Sequence, residues 1–163
     1  MGRIVSLEEL RALAAAERAS GRTIALANGC FDLLHVGHVR YLQAAAAEAD
    51  RLVVAINDDA SVRALKGPGR PVLAAADRAE LVAAVRGVDW VVVFSGSTVA
   101  PIIEAVRPDV HCKGTDYTAE SVPERDLVLA CGGRIAIVGD PKRHSTRDLV
   151  AQIRGAGGKG GAR

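Results

Sequence analysis

Short runs of aliphatic and β-branched residues recur along this chain, separated by segments of helical period. That alternation restricts the fold more than any other feature of the sequence. The runs 23–27, 52–56, 88–94, 110–113 and 135–138 are apolar almost throughout, without the polar alternation of a strand that has one wet face. Strands buried on both faces require covering layers on both sides, and helical crossovers between them make a parallel sheet. Helices are expected at 6–20, 36–49, 60–65, 77–85, 98–106, 123–130 and 146–153. The expected architecture is an α/β three-layer sandwich around a mainly parallel sheet of about five strands.

Local signals sharpen this outline. Ser6 with Glu9 three residues later forms a capping-box pattern, and Leu7, Leu10, Leu13 and Ala14 give the first helix an apolar stripe. Asp77 and Glu80 repeat the pattern and are expected to cap the helix at 77–85. Asn28-Gly29 is expected to break the first strand, and Lys66-Gly67-Pro68-Gly69-Arg70-Pro71 must be a loop. The 163 residues suit one domain over 1–153, with the segment before Thr23 as an appended helix. Residues 154–163 read as a flexible Gly-rich tail and lack the GxxxxGK[ST] spacing.

Composition excludes several classes. A 49% hydrophobic and 25% charged chain is not disordered, and with 3% aromatics its core must be aliphatic. A net charge of +2, without a basic stripe interleaved with aromatics, argues against nucleic acid. No secretory leader or membrane-spanning run is visible, and Cys30, Cys112 and Cys131 are an odd number without paired spacing. A reduced, cytoplasmic protein with no membrane partner is expected.

The densest polar segment is Asn28-Gly29-Cys30-Phe31-Asp32-Leu33-Leu34-His35-Val36-Gly37-His38. It leaves the first strand and enters a helix, where a Rossmann-like sheet binds ligands and helix-start amides favour phosphate. His35 and His38 share one side of a helical turn, and Gly37 between them would let a triphosphate approach the backbone. Imidazoles there can donate to phosphoryl oxygens during displacement. Zinc is a weaker reading, because the HExxH spacing and paired cysteines are missing, and no metal ligand is assigned. Cys30 as a nucleophile lacks a general-base arrangement, and it is expected to pack as a small buried residue.

A second constellation comes late, where Ser145 and Thr146 can cap the last helix or hold a phosphate among Lys142, Arg143 and Arg147. Arg63 and Lys66 precede the glycine-proline loop and could clamp phosphate from a lid, or be a solvated pair. Lys113 leaves the fourth expected strand as a candidate cation for the transferring phosphate, and Asp116 could accept from a sugar hydroxyl. Arg40 follows His38 as a further phosphate contact or a solvated arginine.

The segment 28–38 resembles the HxGH nucleotidyltransferases of the cytidylyltransferase-like superfamily. NGCFDLLHVGHVRYL, with LKGPGRP, DRAELVAAV, VDWVV, RPDVHCKGTDY and GGRIAIV, is similar more narrowly to the D-glycero-β-D-manno-heptose 1-phosphate adenylyltransferases. The resemblance spans about residues 3–153 and implies transfer of AMP from ATP to that sugar phosphate, giving ADP-heptose and pyrophosphate for surface glycan assembly. It implies ATP as co-substrate, Mg2+ as cofactor, and direct displacement without a covalent enzyme intermediate. His35, His38, Arg40 and Lys113 take the catalytic positions. Asn28, Gly29, Cys30, Phe31, Asp32, Gly37, Lys142, Ser145, Thr146 and Arg147 take the nucleotide and phosphate positions. His144 and Arg147 depart from the family pattern, where a serine and a small or aliphatic residue are common. No sugar-kinase half is expected here, so a separate heptose kinase would supply the acceptor, and a homo-oligomer stays open. A cytidylyltransferase acting on glycerol phosphate or a related alcohol phosphate and a non-catalytic nucleotide-binding module remain the alternatives.

Overall fold

The computed structural model describes residues 1–140. In chain order these form β1 (Arg3–Ile4), α1 (Leu7–Ala19), β2 (Ile24–Gly29), α2 (Val36–Ala46), β3 (Arg51–Asn57), α3 (Asp59–Lys66), α4 (Ala75–Ala83), β4 (Trp90–Phe94), α5 (Ala100–Val106), β5 (Val110–Lys113), α6 (Arg125–Ala130) and β6 (Arg134–Ile137).

Alternation along the strands divides their side chains between two cores. Ala25, Ala27, Val54, Ile56, Val91, Val110 and Cys112 pack with Leu42 and Ala45 of α2 and Ala79, Val82 and Ala83 of α4. Ile24, Leu26, Val53, Ala55, Trp90 and Val92 pack with Leu10 and Ala14 of α1, Ile102, Ile103 and Val106 of α5, and Val128 of α6. The result is the Rossmann-like three-layer sandwich that the apolar strands required.

The sheet has six strands in the order β1-β4-β3-β2-β5-β6, all paired in parallel. From β2 the chain steps outward to β3 and β4, then α5 carries it back to β5 on the other side of β2. The order therefore reverses at the carboxyl ends of β2 and β5, the switch point where an open α/β sheet has its ligand crevice. At the opposite ends, aspartates satisfy the entering backbone. Asp109 Oδ2 accepts from Ile24 N at 2.7 Å, and Asp89 Oδ2 from Leu52 N at 2.9 Å.

The strand additional to the expected five is β1, whose two residues pair with Trp90 and Val91 at the sheet edge. Two residues carry no period, so sequence pattern cannot reveal them. The capping box of α1 forms, with Ser6 N donating to Glu9 Oε2 at 2.8 Å and Glu9 N to Ser6 Oγ at 3.2 Å. Leu10 and Ala14 are fully buried, so α1 belongs to the core rather than being appended to it.

Several boundaries differ from expectation, among them the starts of β4 at Trp90, α5 at Ala100 and α6 at Arg125 rather than at 88, 98 and 123. β2 continues through Asn28 and Gly29 because both pair in register with Ala55 and Ile56 of β3. α2 ends at Ala46 rather than near residue 49. The N-cap of α4 is Ala74, which makes no side-chain cap hydrogen bond, and Asp77 lies inside the first turn, where its charge suits the helix dipole without capping it. The expected helix at 146–153 and the tail at 154–163 lie outside the described residues. Among the described residues no helix is long and apolar enough to cross a membrane.

Truncating α1's anchor tests whether that helix is integral. Leu10→Ala should lower the unfolding free energy by about 2–5 kcal/mol, as for a core leucine. Urea unfolding that shows less than about 1 kcal/mol would restore the appended-helix reading.

Candidate active site

β2 delivers the chain into the crevice through a constrained turn. Phe31 is buried yet has a φ of 46°, in the left-handed region that bulky residues rarely occupy. Such a conformation persists where its surroundings over-determine it. Its ring meets His38 edge-on at 5.3 Å and stacks on Tyr41 at 6.5 Å. A side chain at Gly29 would press into the Phe31 ring at 3.2 Å.

His35 is the N-cap of α2, and His38 lies three residues into the helix start. Their rings stack at 3.9 Å between centroids, 24° from parallel. The His35 backbone N–H donates to His38 Nδ1 across 3.4 Å. With Nδ1 an acceptor, the neutral His38 ring carries its proton on Nε2, where it is a donor. A Cβ at position 37 would lie 3.0 Å from His35 Cε1 and 3.1 Å from its Nδ1. Gly37 therefore makes room first for the imidazole, whereas the sequence suggested only room for a triphosphate.

Asp32 has a structural employment that its position in the motif did not reveal. It is 1% exposed and accepts from Arg70 Nη1 at 2.6 Å, Val72 N at 2.6 Å and Leu73 N at 3.4 Å. Burial works to raise its carboxyl, and the Val72 N–H, the Arg70 guanidinium and the Leu73 N–H together outweigh it, holding it below the ordinary range. The loop from α3 to α4 is thereby fastened to the start of α2.

Arg78 fastens the same loop from below. Fully buried, it donates from Nε to Leu73 O at 3.0 Å, from Nη1 to Cys30 O at 2.6 Å and from Nη2 to Asp59 Oδ1 at 2.7 Å. The sequence reading passed over it, although an arginine four residues before Val82 sits on the buried stripe of α4, and that was the available signal. Cys30 Sγ lies 3.7 Å from Asn57 Oδ1, and burial raises its thiol, which suits packing rather than nucleophilic attack. Cys30, Cys112 and Cys131 are all free thiols.

A second cluster occupies the other side of the crevice. Asn28 Oδ1 accepts from Lys113 Nζ at 2.8 Å and lies 3.1 Å from His111 Nε2. Since lysine only donates, the amide oxygen faces it, and His111 must carry its proton on Nε2. Burial, with the Lys113 charge added, pushes the His111 ring down to about 3, so it is neutral at ordinary pH. Lys113 also pairs with Glu124 Oε2 at 3.2 Å and lies 5.4 Å from the Tyr117 ring centre. Glu124 and His111 carry no periodic signal and were not singled out from sequence. Asp116 folds back over Gly114, where a Cβ would lie 2.9 Å from its Oδ1.

The remaining candidates sit at the rim. Arg40 pairs with Asp140 at 2.8 Å, both more than half exposed. Arg63 and Lys66 are exposed on the last turn of α3. Lys66 is close enough for its charge to act on Cys30. Lys142, Ser145, Thr146 and Arg147 lie outside the described residues. Among the described residues no group of three or more His, Cys, Asp or Glu could hold a metal ion.

An all-parallel sheet whose strand order reverses beside the start of α2 defines a doubly wound α/β protein, a class that binds ligands at such a switch point. The model of the cytidylyltransferase-like family matches residues 26–140, and the chain belongs to that family. It is similar to the bifunctional protein HldE of Halorhodospira halophila, 52% identical over 140 residues, covering 86% of this chain and 29% of that protein. It is likewise similar to the bifunctional protein HldE of Syntrophotalea carbinolica, 46% identical over 146 residues, covering 90% of this chain and 30% of that one. The chain thus spans under a third of the length of these relatives. Its fold matches that of the lipopolysaccharide core biosynthesis protein from Thermoplasma volcanium with a TM-score of 0.63 and 24% identity, over 75% of this chain and 100% of that one.

The Asp32 clamp has a pH signature. Its lowered carboxyl contributes stability that is full above the ordinary value of 3.8 and is lost as pH falls through the depressed folded value. The stability gap between wild type and Asp32→Asn, from urea unfolding at stepped pH, should therefore be constant above that range and close below it. Parallel curves down to the acid limit would contradict the clamp.

Proposed function

We propose that this chain transfers AMP from ATP to D-glycero-β-D-manno-heptose 1-phosphate, giving ADP-heptose and pyrophosphate. The observation that carries the reading is the stacked His35–His38 pair at the start of α2, with the Nε2 proton of His38 fixed by the His35 backbone. Family membership and the heptose-enzyme motifs support the same reading. Residues 1–153 are proposed as the catalytic domain and 154–163 as a tail.

ATP enters as its magnesium complex. Triphosphate oxygens and water together supply the octahedral oxygen shell that magnesium prefers. The nucleotide lies against α2, where the helix-start amides and the two imidazoles meet phosphoryl oxygens. Lys113 attracts the acceptor phosphate from the other side. An acceptor phosphate oxygen bonds to the α-phosphorus as the bond from that phosphorus to the pyrophosphate oxygen breaks. No covalent enzyme intermediate is needed, and the residues act by placement and by stabilising charge. Arg40, Arg63 and Lys66 are proposed to neutralise the triphosphate at the rim, with Lys142, Ser145, Thr146 and Arg147 closing it. Asp116 is proposed to face the sugar. The heptose 1-phosphate would come from a separate kinase, and the setting is proposed to be cytoplasmic.

Pyrophosphate release, with ATP, CTP and GTP crossed against heptose 1-phosphate and glycerol 3-phosphate, tests this. ATP with heptose 1-phosphate should be the productive pair, and EDTA should abolish it. A dominant rate with CTP and glycerol 3-phosphate would select the rival transferase, and nucleotide binding without release in any pair would indicate a binding module. His35→Ala and His38→Ala should each lower kcat by roughly 100- to 1,000-fold while melting changes little. Near-wild-type turnover in both would remove the imidazoles from the mechanism.

A further inference from the structure

The side chain of Glu124 is buried to nine-tenths, beside an equally buried lysine, at the carboxyl edge of β5. Strand alternation sends Val110 and Cys112 toward α2 and α4, so His111 and Lys113 project to the opposite face, where the N-cap of α6 places Glu124. Asn28, beyond Leu26 on β2, projects to that face too and joins the group through Lys113. The cluster therefore approaches the crevice from the side opposite the stacked imidazoles.

Its hydrogen-bond balance is uneven. Asn28 Oδ1 takes two donors, from Lys113 and His111. Glu124 Oε2 lies 3.2 Å from Lys113 Nζ, but the angle is not that of a hydrogen bond, and among the described residues no donor is directed at this buried oxygen. A buried carboxylate oxygen without a donor is costly and calls for a donor from water, an ion or a bound ligand. Charge alone does not explain it. If Glu124 served only to neutralise Lys113, it would oppose the phosphate that Lys113 is placed to attract. A polyhydroxy acceptor removes the conflict, because it brings a phosphate for the lysine and, on the neighbouring carbon, a hydroxyl for the carboxylate.

We infer that Lys113 and Glu124 form a two-point subsite for a sugar 1-phosphate, in which Lys113 holds the phosphate and Glu124 accepts a hydrogen bond from the adjacent C2 hydroxyl. This rests on the proposed transferase reading and names the residue that distinguishes a sugar phosphate from a simple alkyl phosphate. Rejection of the deoxy analogue follows from the same physics, since an acceptor built to pair with a hydroxyl is left buried and unpaired when that hydroxyl is missing.

The test compares heptose 1-phosphate with its 2-deoxy analogue, using steady-state pyrophosphate release at saturating magnesium ATP. Wild type should use the deoxy analogue with a kcat/KM at least about tenfold lower. Glu124→Ala, which removes the acceptor that glutamine would keep, should lower kcat/KM for heptose 1-phosphate about tenfold, shrink the discrimination to within about twofold and leave the KM for ATP unchanged. A merely structural glutamate would not move the discrimination ratio. Wild type that uses both sugars equally, or Glu124→Ala that still discriminates fully, would overturn the subsite. The wild-type comparison decides even if the variant folds poorly. Absence of wild-type turnover with any sugar 1-phosphate would instead sink the transferase reading itself.

Discussion

One guanidinium holds the site together. Arg78 has no solvent contact, and its donors reach the backbone of the turn after β2, the backbone of the loop before α4, and the first residue of α3. These three segments are far apart in sequence and share no strand pairing. A buried arginine is tolerated only when its donors are met, and here two carbonyls and one carboxylate meet them. Leu73 is held from both sides, since its N–H points to Asp32 and its carbonyl to Arg78. The loop before α4 and the start of α2 thus behave as one piece. That piece supports the left-handed turn at Phe31, and Phe31 in turn supports His38.

The sheet gives this assembly its direction. Strand starts are closed by aspartates, leaving the carboxyl ends of β2 and β5 as the place where the order reverses. Each strand sends alternate side chains to opposite faces, so the two halves of the crevice receive different chemistry. Imidazoles and helix-start amides come from the α2 side. A lysine, a glutamate and an amide come from the α5 and α6 side. The proposed transfer joins two anions, and such separation would let each meet its own set of donors first.

Much of this was legible in the sequence. The apolar strands, the capping box of Ser6 and Glu9, and the place of residues 28–38 between a strand end and a helix start all follow from local pattern, and the structure reproduces them. What local pattern could not supply is long-range pairing. Asp32 reads as a polar motif residue, yet its partners are about forty positions away at Arg70, Val72 and Leu73. Glu124 stands on no periodic face and becomes notable only beside Lys113. Asp77 misled because a capping-box pattern can equally fall inside a first turn, and the two-residue β1 is too short to carry a period. Arg78 was detectable in principle, as a charge on a buried helical stripe.

The tight fit between Gly37 and the His35 ring has a historical consequence. An ordinary side chain at 37 would displace the imidazole, while a smaller residue at 35 would remove the obstacle. Substitutions at the two positions are therefore not independent, and their order matters. A lineage that first lost His35 could then fill position 37 at little cost. From that point a returning imidazole would have to give way by a few tenths of an ångström, so regaining it would be harder than losing it.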